Sequence, residues 1–365
     1  MKDEKLKNGF TSFSGISNSR FETVNIKNRA GTLRSRFPGL GFRISDLGFR
    51  LTNHDSRIPI HRSLFTFLMI LMAAQLLALK PSAEYNPHPD MFALIHKDLE
   101  VITSDRLSIA CWFFPAQDMP ETSAILAARN EGILPEYSAA AEPKPTIVVA
   151  NGDAGNMSNQ INFVVGFCPW GYNIVLFDWR GFGASSAWEA ASDQLCYKEY
   201  LWDYAAVLDA VFEQPEVDTT RVAVYGGSTG AYLSFAAAAA DERVDFALLR
   251  AILTDFEDVL VGLRAAKPER NLQAPAGYPE KLFPINIAPD FKRPVLLIVG
   301  EDDSVTPLWM SEKIYSLLPG KKELWIVPEA EHGGEKGPVY SDFERFTQKV
   351  DGFLSSQSEE VSSEK

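Results

Sequence analysis

The sequence predicts an α/β fold, a mostly parallel sheet covered by helices on both faces. Six short apolar runs, at residues 146–150, 173–177, 222–225, 247–253, 295–299 and 324–327, contain almost no polar interruption. Strands that are apolar throughout are buried on both faces, as in a parallel sheet sandwiched between helices. Segments of helix length separate the runs, so crossovers rather than hairpins join them. With 365 residues, 46% hydrophobic and 23% charged, the chain can bury one large core and still carry extensions.

Ahead of the sheet the chain changes character twice. Residues 1–62 lack a sustained apolar period and carry 12 Lys/Arg against 5 Asp/Glu, which predicts a poorly ordered basic extension. Residues 63–80 contain an uncharged apolar run, 64–79, flanked by Arg62 and Lys80. As a helix it spans about 24 Å, short of the ~30 Å hydrocarbon core and slightly long for the apolar part of a signal peptide. The basic flank predicts a single membrane anchor with the main domain outside the cytoplasm, or a secretory signal cut near Ser82-Ala83 with release of the remainder. A helix buried in the core is the plainer alternative. Residues 81–98 read as a linker, 99–355 as the main domain and 356–365 as a disordered tail.

Within the main domain, residues 100–103 and 107–114 read as a hairpin. Residues 117–145, with Pro120, Pro135, Pro143 and Pro145, read as a surface insertion. Residues 195–212 and the alanine-rich 231–240 read as helices. The stretch from 254 to 294 carries six prolines, which favours an open loop over a folded lid. The acidic balance beyond residue 62, 23 Lys/Arg against 43 Asp/Glu, argues against nucleic acid as a partner. Cys111, Cys168 and Cys196 are odd in number and lack metal-ligand spacing, so buried thiols are expected, with no metal and no cofactor.

Chemistry gathers after the apolar runs, where ligands bind in such sheets. Gly226-Gly227-Ser228-Thr229-Gly230 lies between the run at 222–225 and the alanine-rich helix. That is the setting of a nucleophile elbow, where a sharp strand-to-helix turn exposes the serine hydroxyl. Chance supplies about 0.1 such patterns in a chain of this length, so position decides. Asn151-Gly152-Asp153-Ala154-Gly155-Asn156 follows the first run and turns its backbone N–H groups toward a developing negative charge. Gly300-Glu301-Asp302-Asp303-Ser304-Val305-Thr306-Pro307 offers a carboxylate after the fifth run. His332 follows the sixth, and it is the only histidine beyond His96. A serine nucleophile needs a base to take its proton and a carboxylate to orient that base, so a serine hydrolase has no other histidine in this part of the chain.

These blocks, with Asp178-Trp179-Arg180-Gly181-Phe182-Gly183-Ala184-Ser185, resemble the α/β-hydrolase superfamily, in particular its compact, membrane-associated, single-domain serine hydrolases. The resemblance covers residues 99–353. It implies a mostly parallel eight-stranded sheet with no large cap domain, Ser228 as nucleophile, His332 as base and then acid, and Asp303 as triad acid, with Asp302 and Asp255 as alternatives. It implies that the N–H groups of Asp153 and Thr229 form the oxyanion hole and that the Arg180 turn is structural. Where the family commonly has His-Gly and then a neutral residue, this chain has Asn151-Gly152-Asp153, which places a carboxylate beside the oxyanion.

The expected activity is hydrolysis of a small ester or thioester, without cofactor, through an acyl-serine. Phe163, Phe167, Trp170 and Phe256 are candidates for an acyl groove or, more plainly, for the core. A serine peptidase or amidase of the same fold is one rival, and a catalytically silent binding protein is another.

Overall fold

The computed structural model describes residues 79–118, 137–188, 193–266 and 268–363, which belong to one compact unit. Its centre is an eight-stranded sheet of β1 (Lys97–Asp98), β2 (Cys111–Phe114), β3 (Lys144–Ala150), β4 (Asn173–Phe177), β5 (Val217–Gly227), β6 (Phe246–Arg250), β7 (Val295–Gly300) and β8 (Lys322–Val327). The order across the sheet is β1-β2-β4-β3-β5-β6-β7-β8; β2 runs antiparallel to both neighbours and every other pairing is parallel. This is the α/β-hydrolase fold, and the six apolar runs supply its parallel strands.

Alternate residues of each strand feed two separate cores, because successive side chains point to opposite faces. Val148, Val175, Val224, Leu249 and Leu297 pack under α2 (Tyr200–Phe212), α3 (Thr229–Ala240), α4 (Phe256–Ala266) and α6 (Leu308–Leu317). Ile147, Ile174, Ala223, Leu248 and Leu296 pack under α1 (Ile161–Phe167) and α7 (Phe343–Ser363). A four-residue helix, α5 (Pro284–Ile287), joins the first layer. The small side chains of α3 let it lie close on the sheet, with residues 229–238 all buried. Phe163 and Phe167 are wholly buried among Tyr225, Tyr172 and Phe346, and Phe256 packs on Tyr232 and Tyr278. These three are therefore core residues.

Several expectations need correction. Residues 81–98 are part of the domain. Lys80–Pro81 pair in parallel with residues 154 and 155, and Lys97–Asp98 form the edge strand of the main sheet. Residues 254–294 are not an open loop. They contain α4 and α5, and their Val259, Leu260, Leu272 and Tyr278 are buried in the first core. Their prolines fall outside α4 or at N-terminal helix positions, where no backbone hydrogen bond is lost. Helix α7 runs to Ser363 instead of giving way to a tail at 356.

The membrane expectations are also corrected. Residues 1–78 lie outside the described residues, and among the described residues no helix is long and apolar enough to cross a membrane. Leu79, the one described residue of the apolar run, is buried in the first core. The expected cleavage point is bonded into the domain: the Ser82 N–H donates to the Gly155 carbonyl at 2.8 Å, and the Ser82 carbonyl accepts from the Gly183 N–H at 3.0 Å. Anchor, signal and extracytoplasmic placement are therefore withdrawn, and no localisation replaces them.

The hairpin appears as Val101–Ile102 paired with Ser108–Ile109. The insertion is closed at its base by Gln117–Asp118 paired with Ser138–Ala139, while residues 119–136 lie outside the described ones. All three cysteines are buried and free.

Candidate active site

Ser228 stands at the junction of β5 and α3 with φ 55° and ψ −116°, a backbone conformation that L-residues rarely adopt. The flanking glycines make that turn possible. A Cβ on Gly226 would overlap the Gly230 carbonyl, and one on Gly230 would lie 2.7 Å from the Ala150 oxygen and 2.8 Å from the Asn151 oxygen. The sharp reversal thus brings α3 against β3, and its strain is held by packing on both sides.

His332 reaches Ser228 from the loop after β8. Its Nε2 lies 3.0 Å from the Ser228 Oγ, and its Nδ1 lies 2.8 and 3.0 Å from the two Asp303 oxygens. Asp303 is buried and receives the N–H groups of Val305 and Thr306 at 2.9 Å each, together with the Thr306 hydroxyl at 2.9 Å. Burial pushes the Asp303 carboxyl up, but the hydrogen bond and charge of His332 and these backbone donors outweigh it and hold the group below its ordinary range. An ionised Asp303 accepts from Nδ1–H and leaves Nε2 free to take the serine proton. The other two candidate acids stand elsewhere. Asp302 is exposed. Asp255 accepts the Asp258 N–H at 2.8 Å at the start of α4.

The turn at 151–156 faces the elbow. Its shape is fixed from within: the Asn151 side chain donates to the Ala154 carbonyl at 3.0 Å and accepts from Gln160 at 3.0 Å, while the Asn151 carbonyl accepts from Trp179 Nε1 at 3.1 Å. The Asp153 carbonyl is occupied by the Lys80 N–H at 2.7 Å. Asp153 itself is exposed, which places its carboxylate where solvent screens it. Thr229 is the first residue of α3, so its N–H has no partner within the helix.

Two cavities meet at Asp153, Ser228 and His332. One, of about 310 Å³, is bounded by Asn159, Gln160, Tyr225, Arg250 and Tyr340; the other, of about 180 Å³, by Leu195, Leu253, Val259, Leu263 and Leu272. Arg180 lies apart from both. It is fully buried and clamped by Asp203 and Asp105 at 2.7–3.1 Å, which pins the turn after β4. Among the described residues no cluster of His, Cys, Asp and Glu suits a metal ion.

The structure thus brings Ser228, Asp303, His332, Asp153 and Thr229 to one place. Two neighbours were missed in the sequence. Thr306 lies 3.3 Å from His332 Nδ1 as well as on Asp303. Its signal was an Asp followed three residues later by a hydroxyl, a spacing at which the aspartate bonds the chain just ahead. Arg250 donates through Nη1 to the His332 carbonyl, and its own carbonyl accepts the Ser228 N–H at 2.9 Å. It stood in the middle of the apolar run 247–253 with no motif around it.

Comparison with known proteins bears on the fold and the family. The chain is 26% identical over 265 residues to the uncharacterised YfhR protein of Escherichia coli, covering 71% of this chain and 81% of that one. It is 23% identical over 247 residues to the α/β-hydrolase domain-containing protein WAV2 of Arabidopsis thaliana, covering 64% and 70%. Among solved structures, an esterase of Pyrococcus furiosus superposes with TM-score 0.57 at 17% identity, over 77% of this chain and 98% of the esterase. A puromycin-hydrolysing peptidase of Mycobacterium tuberculosis superposes with TM-score 0.54 at 18% identity, over 73% of this chain and 39% of the peptidase. These likenesses at low identity concern the fold. The model of the prolyl oligopeptidase family matches residues 159–356, more than half of the sequence and the whole stretch from α1 through the elbow to the histidine loop, and the chain belongs to that family.

Proposed function

We propose that this protein is a serine hydrolase that cleaves carboxylic esters or thioesters through an acyl-serine intermediate. The observation that carries the proposal is the unbroken relay from Ser228 Oγ through the His332 ring to a buried Asp303. In the first half-reaction Ser228 Oγ attacks the substrate carbonyl while His332 Nε2 takes its proton. The oxyanion so formed is held by the N–H groups of Asp153 and Thr229, each worth about 10²–10³ in rate. His332 then hands its proton to the departing alcohol or thiol. In the second half-reaction water, deprotonated by His332, attacks the acyl group and releases the acid from Ser228. Asp303 keeps the ring in the required tautomer and stabilises the imidazolium in both halves.

The esterase likeness covers nearly all of that enzyme, whereas the peptidase likeness covers 39% of the peptidase, which favours ester over peptide substrates. A peptidase reading has one specific observation in its favour, the family to which the chain belongs. A fluorophosphonate probe tests the shared part. It should label the wild type, fail on Ser228→Ala and label His332→Ala weakly; labelling that survives Ser228→Ala sinks the assignment. A panel of 4-nitrophenyl esters beside aminoacyl amides then separates the two readings, and faster turnover of the amides would overturn the ester proposal.

A further inference from the structure

Each of the two cavities beside Ser228 has an arginine in its wall, Arg270 among leucine and valine in the smaller and Arg250 in the larger. Arg250 is the one bonded to the histidine loop, through Nη1 to the His332 carbonyl. This arginine ends β6 with its guanidinium against the elbow, and the place exists only because residue 227 has no side chain. A Cβ on Gly227 would overlap Nη2, Cζ and Nε of Arg250. Among the described residues no carboxylate pairs with this guanidinium, and its Nε is buried without an acceptor. Arg250 is half-buried, and a guanidinium partly out of water with no counter-charge is a ready partner for an anion. The charge reaches the polar groups of the same wall. Burial raises the Tyr225 and Tyr340 hydroxyls, and Arg250 opposes the rise in both.

We infer that Arg250 recognises a carboxylate on the substrate, carried by the arm of the ester that occupies the larger cavity. The inference rests on the ester-hydrolase reading above. A monoanion suits the larger cavity better than a phosphate dianion, because Arg250 is the only arginine or lysine among its lining residues. A planar carboxylate also matches the guanidinium fork.

Two pairs of aryl esters test this. In the first, 4-nitrophenyl hemiglutarate is set against the 4-nitrophenyl ester of glutaramic acid, so the carboxylate is on the acyl arm. In the second, 3-carboxyphenyl butyrate is set against 3-carbamoylphenyl butyrate, so it is on the alcohol arm. Because Arg250 also holds the His332 carbonyl, the quantity read is the ratio of kcat/KM within a pair, from which a common loss of rate cancels. The wild type should favour the acid by about tenfold or more in one pair. Arg250→Gln should abolish that ratio and Arg250→Lys should keep part of it. Neutral members cleaved as fast as the acids in both pairs, or a preference that survives Arg250→Gln, would overturn the inference while leaving the ester reading intact. Absence of fluorophosphonate labelling and of turnover on all four esters would remove the ester reading and this inference with it.

Discussion

The turn at residues 151–156 is gripped from two sides, and the two grips work differently. On one side is the elbow, whose Gly230 packs directly on the carbonyls of residues 150 and 151. That contact comes from adjacent strands of one sheet, with β5 and β3 in register up to Gly226 and Ala150. On the other side is the strap at residues 79–98, which has little regular structure of its own. It is held by separate bonds: Lys80 to Asp153, Ser82 to Gly155, Asn156 Nδ2 to the Glu84 carbonyl at 2.7 Å, and the Tyr85 hydroxyl to Asp178 at 2.6 Å. Asp178 in turn receives the Met157 N–H at 2.6 Å. A sheet-borne contact fails only if the sheet fails, whereas the strap can be loosened one bond at a time. The elbow side should therefore show large losses of rate at constant stability, and the strap side modest losses of stability.

The sharpest break on the elbow side is Ser228→Ala, expected to lower kcat by about 10⁶ in a steady-state ester assay with thermal unfolding unchanged. Asp303→Asn comes next. It keeps the shape but offers His332 the wrong partner, so kcat should fall by about 10⁴ and the Nδ1 proton resonance of His332 should move. A normal rate in that variant would point to a different orienting acid.

On the strap side, Asp178 gives a stability effect with a definite sign. Burial raises its pKa from 3.8 to about 6 against the donors Tyr85 and Met157. The folded state therefore holds its proton more tightly than the unfolded chain. The associated stability is complete below pH 3.8 and is lost as pH rises through about 6, to the extent of about 3 kcal/mol. Asp178→Asn removes that slope, so its stability relative to wild type should rise between pH 4 and pH 8 in urea titrations. A difference that is flat with pH would show that Asp178 does not titrate there.

Tyr85→Phe should have the smallest effect. It leaves Asp178 without one donor and the Ala184 N–H, now bonded to the phenol at 2.8 Å, without its acceptor. A loss of about 1–3 kcal/mol is expected by thermal unfolding. If the strap also holds the turn at 151–156 in place for the proposed oxyanion, kcat should fall with KM unchanged; an unaltered kcat would confine the strap to stability.

How much could be read in advance follows the same division. The parallel strands and the elbow were legible because their signals are local: apolar runs, glycines spaced around a serine, and a single histidine in the right place. Asp303 was separable from Asp302 only by resemblance, and the structure separates them by burial, which depends on how the loop after β7 turns back to Ala330. The strap was misread because its strands are two residues long and the partners of residues 80–85 lie about 70 to 100 positions away. Residues 254–294 defy the expectation of a loop because Pro284 and Pro289 sit at N-terminal helix positions, where proline is compatible with a helix. Arg250 was invisible because its meaning depends on Gly227 and His332, which reach it only when β5, β6 and the histidine loop assemble.

The sequence by itself determined the sheet, the strand-to-helix turn that presents Ser228, and the limited choice of its base, because periodicity, glycine and histidine act through short-range sterics and chemistry. Tertiary structure alone decided that Asp303 is the carboxylate buried against His332, that residues 79–98 brace the turn at 151–156, and that a guanidinium without a carboxylate partner lies beside Ser228. Those features are set by distances between segments far apart in the chain, and only packing fixes such distances.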